Sequence, residues 1–161
     1  MPQLIFSPAE IQELTEWTPD AQRDLRHKGF LSNYGFQTKG GRWKYTTRDL
    51  VAFGMAMHLR EAGLPIQQVM GTSWTQANQV MNIIHQKDLY SGNRFVAFLF
   101  RVTLMDDRMT MYGWDVIEIR SVAELDATKP FSKADLIDLK TVAGAAPDKV
   151  KSYVITELDN A

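Results

Sequence analysis

Two Ser/Thr-Pro pairs near the N-terminus constrain the fold more than any other feature of the sequence. Ser7-Pro8 is followed by Glu10, and Thr18-Pro19 is followed by Asp20. A Ser or Thr side chain caps a helix, Pro suits the first helical position, and Glu at the third position completes a capping box. We therefore predict two short helices joined by a tight turn around Glu16-Trp17. This is the spacing of a helix-turn-helix unit.

A small β-hairpin, or wing, is predicted after the second helix, which we expect to end at Gly29. Phe30-Leu31 and Trp43 to Tyr45 are the predicted arms, and they flank a Gly/Asn/Lys-rich loop from residue 32 to 42. Thr46 or Thr47 then caps a longer helix, whose apolar residues recur with a helical period. That helix is expected to end at Gly63, and Pro65 to open another short helix.

Basic residues are concentrated between residues 23 and 48, although the whole chain has a formal charge of −1. This segment holds seven basic residues and one acid, a local charge of +6. Residues 72–161 hold ten basic and twelve acidic residues. A basic block that also contains Tyr34, Trp43 and Tyr45 is typical of a phosphate-binding surface. A solvated basic face on a soluble protein is the alternative interpretation.

The order of these elements resembles the winged-helix DNA-binding domain of the MerR family over residues from about 4 to 70. The motifs that carry the resemblance are Thr18-Pro19-Asp20 followed by Arg23, Gly29-Phe30-Leu31, Gly41-Arg42-Trp43-Lys44-Tyr45 followed by Asp49-Leu50, and Gly63-Leu64-Pro65-Ile66-Gln67-Gln68-Val69. Asp24-Leu25-Arg26 stands where the family has an aromatic pair and an acid, and the wing's aromatic and basic residues are swapped. These departures indicate a divergent member, related to phage or prophage proteins.

The resemblance implies double-stranded DNA as the partner, with the second helix in the major groove. The expected contacts are Thr18, Gln22, Arg23, Arg26 and Lys28 on this helix, and Lys39, Arg42, Trp43, Lys44, Tyr45 and Arg48 on or beside the wing. Arg and Gln can read guanine and adenine edges, whereas wing cations contact the DNA backbone. Two alternatives stay open, a surface salt bridge of Arg26 with Asp20 or Glu10 and packing of Trp43 under the wing. Trp17 is expected in the core.

The second half of the chain departs from the family, whose members continue with a long dimerising helix and an effector site. We predict one helix from Ser73 to Gln86 and then two antiparallel strands, within 89–104 and 109–122, joined by a turn at Met105–Arg108. Helical signals return after Pro130, with Ser132 as the cap, and Pro147 opens a last helix.

These elements predict an α+β fold with two domains. Residues 1–71 form the winged helix-turn-helix, and residues 72–161 form a small α+β domain with an antiparallel hairpin, for dimerisation or for binding an effector or partner. Exposed strand edges favour a homodimer, which also suits two half-sites on DNA.

Catalytic and cofactor-binding patterns are lacking in the sequence. His27, His58 and His85 fall in separate predicted elements without metal-ligand spacing, and there is no P-loop or dinucleotide fingerprint. The absence of cysteine excludes disulfides, thiolate zinc sites and cysteine nucleophiles, and it excludes the thiolate metal sensing found in parts of the MerR family. We therefore expect neither an enzyme nor a cofactor.

The sequence thus predicts a sequence-specific transcriptional regulator that binds DNA as a homodimer. The family resemblance adds RNA polymerase as a partner and leaves the small-molecule effector undetermined. No apolar run approaches the ~18 residues of a membrane helix, and Met1-Pro2-Gln3 lacks a signal-peptide pattern, so we expect a cytoplasmic protein without a membrane partner. Two alternatives remain, an excisionase-like recombination or packaging protein that bends DNA, and a protein-interaction module whose basic wing binds acidic partners.

Overall fold

A computed structural model describes residues 3–106 and 109–161 of the chain. The helices are α1 (Pro8–Thr15), α2 (Pro19–His27), α3 (Thr47–Arg60), α4 (Ile66–Gln86), α5 (Leu139–Ala145) and α6 (Asp148–Asp159). The strands are β1 (Ile5–Phe6), β2 (Phe36–Gln37), β3 (Trp43–Thr46), β4 (Phe95–Asp106), β5 (Met109–Ile119) and β6 (Lys133–Asp138). Short 3₁₀ helices span Lys87–Leu89 and Val122–Thr128. The predicted α+β class is confirmed.

The N-terminal helices begin where the capping residues predict. Glu10 N donates to Ser7 Oγ at 3.2 Å and Ser7 N donates to the Glu10 carboxylate at 2.7 Å, which completes the capping box of α1. Thr18 Oγ1 accepts from Ala21 N at 3.1 Å at the start of α2, and Thr46 caps α3 in the same way. Because caps satisfy backbone donors locally, these helix starts follow from the sequence alone.

The first sheet has the antiparallel order β1-β3-β2, and it corrects the predicted hairpin. Phe30-Leu31 is not an arm: Leu31 is buried in the core, and the turn is closed by Phe30 N donating to the Leu25 carbonyl at 2.9 Å. The arm that pairs with β3 is β2, with Gln37 opposite Trp43. Pairing of β1 with the other edge of β3 was not predicted.

Helix α4 is a single helix of 21 residues. The short helix predicted after Pro65 and the helix predicted from Ser73 are therefore one helix, which corrects the prediction of two. Its buried face is continuous through Val69, Met70, Ser73 and Ala77, and α4 packs against α3, so the exposed Gly71 does not interrupt it. The predicted domain boundary at residues 71/72 falls inside this helix.

The second sheet has the antiparallel order β5-β4-β6. Pairing of β4 with β5 confirms the predicted hairpin, whose predicted turn falls partly outside the described residues. The segment after Ser132 was predicted to be helical, but 133–138 form β6. Ser132 does not cap a helix, because its Oγ donates to the Phe100 carbonyl oxygen of β4 at 3.2 Å. Pro147 directly precedes the last helix, α6, as predicted.

Buried residues from Phe6 to Val154 form one hydrophobic cluster, so the segments on the two sides of residue 71 share a core. Phe6 meets Tyr153 of α6 edge-on, with ring centroids 5.1 Å apart. Trp17 is buried, as predicted, and its Nε1 donates to the Phe53 carbonyl at 2.9 Å. Within residues 3–106 and 109–161, no helix is both long and apolar enough to cross a membrane.

Candidate nucleic-acid interface

Helix α2 presents an exposed face on which cations and carboxylates alternate. Arg23 lies 3.1 Å from Asp20, with side chains 77% and 86% exposed. Lys28 follows the helix and lies 2.8 Å from Asp24. Exposed pairs of this kind have interaction energies of about 0–1 kcal/mol, so a competing phosphate can displace the carboxylates. Arg23 and Lys28 are therefore accessible to a ligand, but their charge is balanced locally.

Gln22, a predicted DNA contact, lies on the buried face of α2, so its side chain is not exposed in this structure. Its side chain is almost fully buried, and Nε2 donates to the carbonyl oxygens of Pro8 and Trp17 at 3.0 and 2.8 Å. Burial follows from its position beside Leu25 on the face that packs against the core. Thr18 is exposed, although its hydroxyl oxygen is used in capping α2.

Arg26, a predicted DNA contact, is half-buried between α2 and the hairpin. Its guanidinium carbon is 3.3 Å from the centroid of the Trp43 ring. The guanidinium donates to the carbonyl oxygens of Leu31 and Tyr34 at 3.2 and 3.0 Å, and to the Tyr45 hydroxyl at 3.2 Å. With three of its five N–H donors engaged in this way, Arg26 holds the hairpin against α2. We call this contact the Arg26–Trp43 stack.

The alternatives left open for these two residues are also settled by the stack. Asp20 pairs with Arg23 and the Glu10 carboxylate accepts from Ser7, so neither forms the surface salt bridge considered for Arg26. Trp43 is half-buried, with one ring face covered by the guanidinium. Its role in this structure is packing within the hairpin.

Tyr45, a predicted DNA contact, is buried in the core, so its ring is not exposed in this structure. Its ring meets that of Phe53 edge-on, with centroids 5.3 Å apart. Burial raises the pKa of the Tyr45 hydroxyl, and the hydrogen bond from Arg26 partly offsets this effect. Burial also raises the pKa of Tyr34, whose hydroxyl donates to the Met70 carbonyl oxygen at 2.7 Å.

The tip of the hairpin carries exposed cations of the basic segment. Thr38 N donates to the Arg42 carbonyl oxygen at 2.9 Å and Gly41 N donates to the Thr38 carbonyl oxygen at 2.9 Å. This turn leaves Lys39 and Arg42 exposed, and Lys44 is half-buried on β3. Within the described part of the chain, none of these three cations lies within ion-pair distance of a carboxylate.

Arg48, a predicted DNA contact, forms a second stack with tryptophan. Its guanidinium carbon lies 3.5 Å from the centroid of the Trp74 ring, and Nε and Nη2 donate to the Trp74 carbonyl oxygen at 3.3 and 3.1 Å. Arg48 thereby joins the start of α3 to α4. Its position is structural, and we call this contact the Arg48–Trp74 stack.

The buried carboxylate of Asp49 organises the base of the hairpin, a role that the sequence did not assign to it. Its oxygens accept from Thr46 N at 2.8 Å, Thr46 Oγ1 at 3.0 Å, Gly35 N at 3.1 Å and Trp74 Nε1 at 3.2 Å. Gly35 has φ +70°, and a Cβ there would lie 2.7 Å from the Lys44 carbonyl oxygen. The Thr46-x-x-Asp49 spacing of a capping box was the available signal.

The eleven predicted contact residues thus fall into two groups. Exposed or partly exposed positions on α2 and the hairpin hold Thr18, Arg23, Lys28, Lys39, Arg42 and Lys44. Packing and internal hydrogen bonds occupy Gln22, Arg26, Trp43, Tyr45 and Arg48. The Arg26–Trp43 stack connects the groups, because it fixes α2 relative to the strand that leads from the exposed tip.

Among the described residues, no cluster of three or more His, Asp or Glu side chains is arranged to hold a metal ion. A scan against protein-family models and a search of curated proteins both found no match for this chain.

Proposed function

We propose that this protein binds double-stranded DNA through α2 and the β2–β3 hairpin, as a MerR-like winged-helix regulator of transcription. The observation that carries the proposal is the Arg26–Trp43 stack, in which the guanidinium carbon lies 3.3 Å from the ring centroid. Because the stack joins α2 to the hairpin, the cations of both elements belong to one rigid surface. A rigid, positively charged surface loses little conformational entropy when it contacts a phosphate backbone.

Within this function, α2 enters the major groove and Arg23 contacts a base edge after it leaves Asp20. Lys39 and Arg42 at the hairpin tip contact phosphates, which supplies affinity with little sequence preference. Lys28 and Lys44 add to the same electrostatic contact. Asp20 and Asp24 repel phosphate, so α2 alone is a weak anion binder and the hairpin provides most of the attraction.

A homodimer completes the proposal. The edges of the second sheet are β5 and β6, and neither side of this sheet is closed by a further strand within the described residues. Pairing of two copies through such an edge buries unpaired backbone groups and places two α2 helices on neighbouring half-sites. RNA polymerase is the further partner of a regulator in this role, and a phage or prophage gene is its proposed origin.

The test is a gel-shift series with promoter and random DNA fragments over a range of salt concentrations. The logarithm of the binding constant should fall with the logarithm of the salt concentration, by ~0.9 for each phosphate contact. The double variant Lys39→Ala/Arg42→Ala should lower that slope by about 2, and Lys129→Ala, a matched exposed lysine in the C-terminal half, should not change it. A double variant with the wild-type slope would contradict the assignment.

Sequence preference distinguishes the proposed regulator from its alternatives. Arg23→Ala should reduce affinity for a preferred sequence by about 1–3 kcal/mol and relax the preference. Lys44→Ala should instead weaken binding to all DNA sequences about equally. Binding with a salt slope and no preference would indicate a DNA-bending recombination or packaging protein instead. Absence of binding at low salt would remove both DNA hypotheses and leave a module that binds acidic proteins.

A further inference from the structure

A groove of about 360 Å³ lies where the C-terminal end of α4 meets α5 and α6. Its apolar lining consists of Ile83, Ile84, Ala143 and Ile155. This volume falls within the range of small-ligand pockets, whose walls are mostly apolar with a few placed polar groups. None of the lining residues belongs to α2 or to the hairpin, so the groove is distinct from the DNA-binding surface proposed above.

Three lysines surround the apolar lining of this groove. Lys87 and Lys140 are exposed, and Lys151 is half-buried with its Nζ donating to the Gly144 carbonyl oxygen at 2.9 Å. Asp88 is the one acid among the lining residues. In residues 3–106 and 109–161, no carboxylate lies within ion-pair distance of these three lysines. The rim therefore carries net positive charge that no internal partner neutralises.

The backbone of Lys87 supplies a second observation at the same place. Lys87 has φ 51° and ψ −123° at the end of α4, a conformation that a residue with a side chain rarely adopts. Glycine would occupy this position with less strain. Strained backbone concentrates at functional sites, and here the strained residue contributes one of the three ammonium groups.

We propose that this groove binds an amphipathic anion, a molecule with one carboxylate or similar head group and an alkyl or aryl body. The body lies against Ile83, Ile84 and Ile155, where it leaves water. The head group lies at the rim among the lysines, where it remains partly hydrated and gains charge-assisted hydrogen bonds. A cation would be repelled by the rim, and a fully polar anion would leave the apolar lining exposed to water.

The first measurement compares monomeric decanoate with decanol, which has the same chain length and no charge. Isothermal titration calorimetry on the full chain should show decanoate binding at least about tenfold more tightly, which corresponds to about 1.4 kcal/mol. Lys87→Gln and Lys140→Gln should each weaken the binding of decanoate by about threefold and leave the binding of decanol unchanged. Equal binding of decanoate and decanol by the wild type would overturn the proposal.

Two further variants test the position of the site. A Cβ at Gly144 would meet open space, so Gly144→Leu can fold while its side chain fills the groove, and it should abolish decanoate binding with an unchanged circular-dichroism spectrum. Lys149→Gln is the matched control, because Lys149 lies on the same helix as Lys151 but pairs with Glu13 of α1. Decanoate binding retained by Gly144→Leu, or weakened as much by Lys149→Gln as by Lys140→Gln, would place the site elsewhere and refute the proposal.

The same head-group chemistry also occurs on a membrane surface. The last measurement is therefore the binding of the protein to phosphatidylglycerol vesicles, followed by co-sedimentation. Binding to vesicles without binding to monomeric decanoate would overturn the groove as a site for a free ligand, and binding to decanoate alone supports it. No arm contains DNA, so the outcome is independent of the proposed transcriptional role.

Discussion

Two partly buried arginines in the N-terminal half, Arg26 and Arg48, are held differently from Arg94 and Arg101 in the C-terminal half. In the N-terminal half, Arg26 and Arg48 lie over the rings of Trp43 and Trp74, and their guanidinium groups donate mainly to main-chain carbonyl oxygens. Neither has a carboxylate within ion-pair distance among the described residues. The positive charge of both side chains therefore remains uncompensated.

In the C-terminal half, arginines are paired with carboxylates. Arg94 donates from Nε and Nη2 to the two oxygens of Asp138 at 3.0 and 2.7 Å, and Arg101 forms an ion pair with Asp115. Each pair is locally neutral. The bidentate Arg94–Asp138 pair fixes geometry as well as charge, because its two parallel hydrogen bonds allow one orientation.

The difference shows how a chain with a net charge near zero keeps a positive region. Aromatic rings and carbonyl oxygens attract a guanidinium through partial charges, so they hold an arginine in place without cancelling its formal charge. Carboxylates cancel it. Part of the positive charge of residues 23–48 therefore persists in the fold around α2 and the hairpin, although Asp20 and Asp24 balance Arg23 and Lys28.

The largest effect on stability should follow from removing the Arg26–Trp43 stack. We expect Arg26→Ala to lower the free energy of unfolding by about 2 kcal/mol, because it leaves two carbonyl oxygens and a buried phenol without their charged donor. Urea denaturation measures this change. Arg23→Ala, one turn earlier on the exposed face, is the control and should stay within about 0.5 kcal/mol of the wild type. Similar losses in both variants would mean that the stack does not hold the hairpin.

A smaller effect on stability, which depends on pH, is expected in the C-terminal half. The hydrogen bonds from Arg94 lower the pKa of Asp138 in the folded state. The stabilisation from this pair is therefore fully present above the ordinary Asp value of about 4, and it is lost as the pH falls through the lower folded-state pKa. Asparagine still caps α5, so Asp138→Asn removes mainly the charge.

Urea denaturation of the wild type and Asp138→Asn across the acid range tests this effect. The difference in stability between the two proteins should shrink as the pH falls below about 4. Arg26→Ala should keep the wild-type dependence on pH, because no carboxylate of the described residues lies within ion-pair distance of Arg26. An Asp138→Asn difference that stays constant with pH would show that the Arg94–Asp138 pair does not contribute through its charge.

Elements with local chemical causes were predictable from the sequence. Ser7, Thr18 and Thr46 start helices because their side chains accept hydrogen bonds from backbone N–H groups three residues away. The β-branched and aromatic run in β4 likewise identified the β4–β5 hairpin.

Elements that depend on distant partners were missed or misassigned. Strand β6 exists because its backbone pairs with β4, about forty residues earlier, and nothing local to Ser132 shows that its hydroxyl is used there. The continuous buried face of α4 joins the two helices that were predicted on either side of the 71/72 domain boundary. Propensity is a weak prior where tertiary packing supplies most of the stability.

The same distinction between local and distant causes applies to the residues of the candidate site. Counting charges identified the basic segment, but it could not tell an arginine that faces solvent from one that faces a ring. Whether Arg48 is exposed depends on Trp74, which lies 26 residues later in the chain and one helix away. The exposed tip cations, Lys39 and Arg42, were correctly placed in a loop because glycines mark that loop locally.

The smallest effect on stability is expected at the hairpin tip, and it sharpens the contrast between stacked and exposed cations. Lys39→Ala and Arg42→Ala should each change the free energy of unfolding by less than about 0.5 kcal/mol, because neither side chain is buried or paired within the described residues. Urea denaturation of each variant beside Arg26→Ala measures this difference. A loss of more than about 1 kcal/mol would show that the tip cations are structural as well. A near-zero change would mean that any loss of DNA affinity in these variants reflects the missing charge and not a misfolded hairpin.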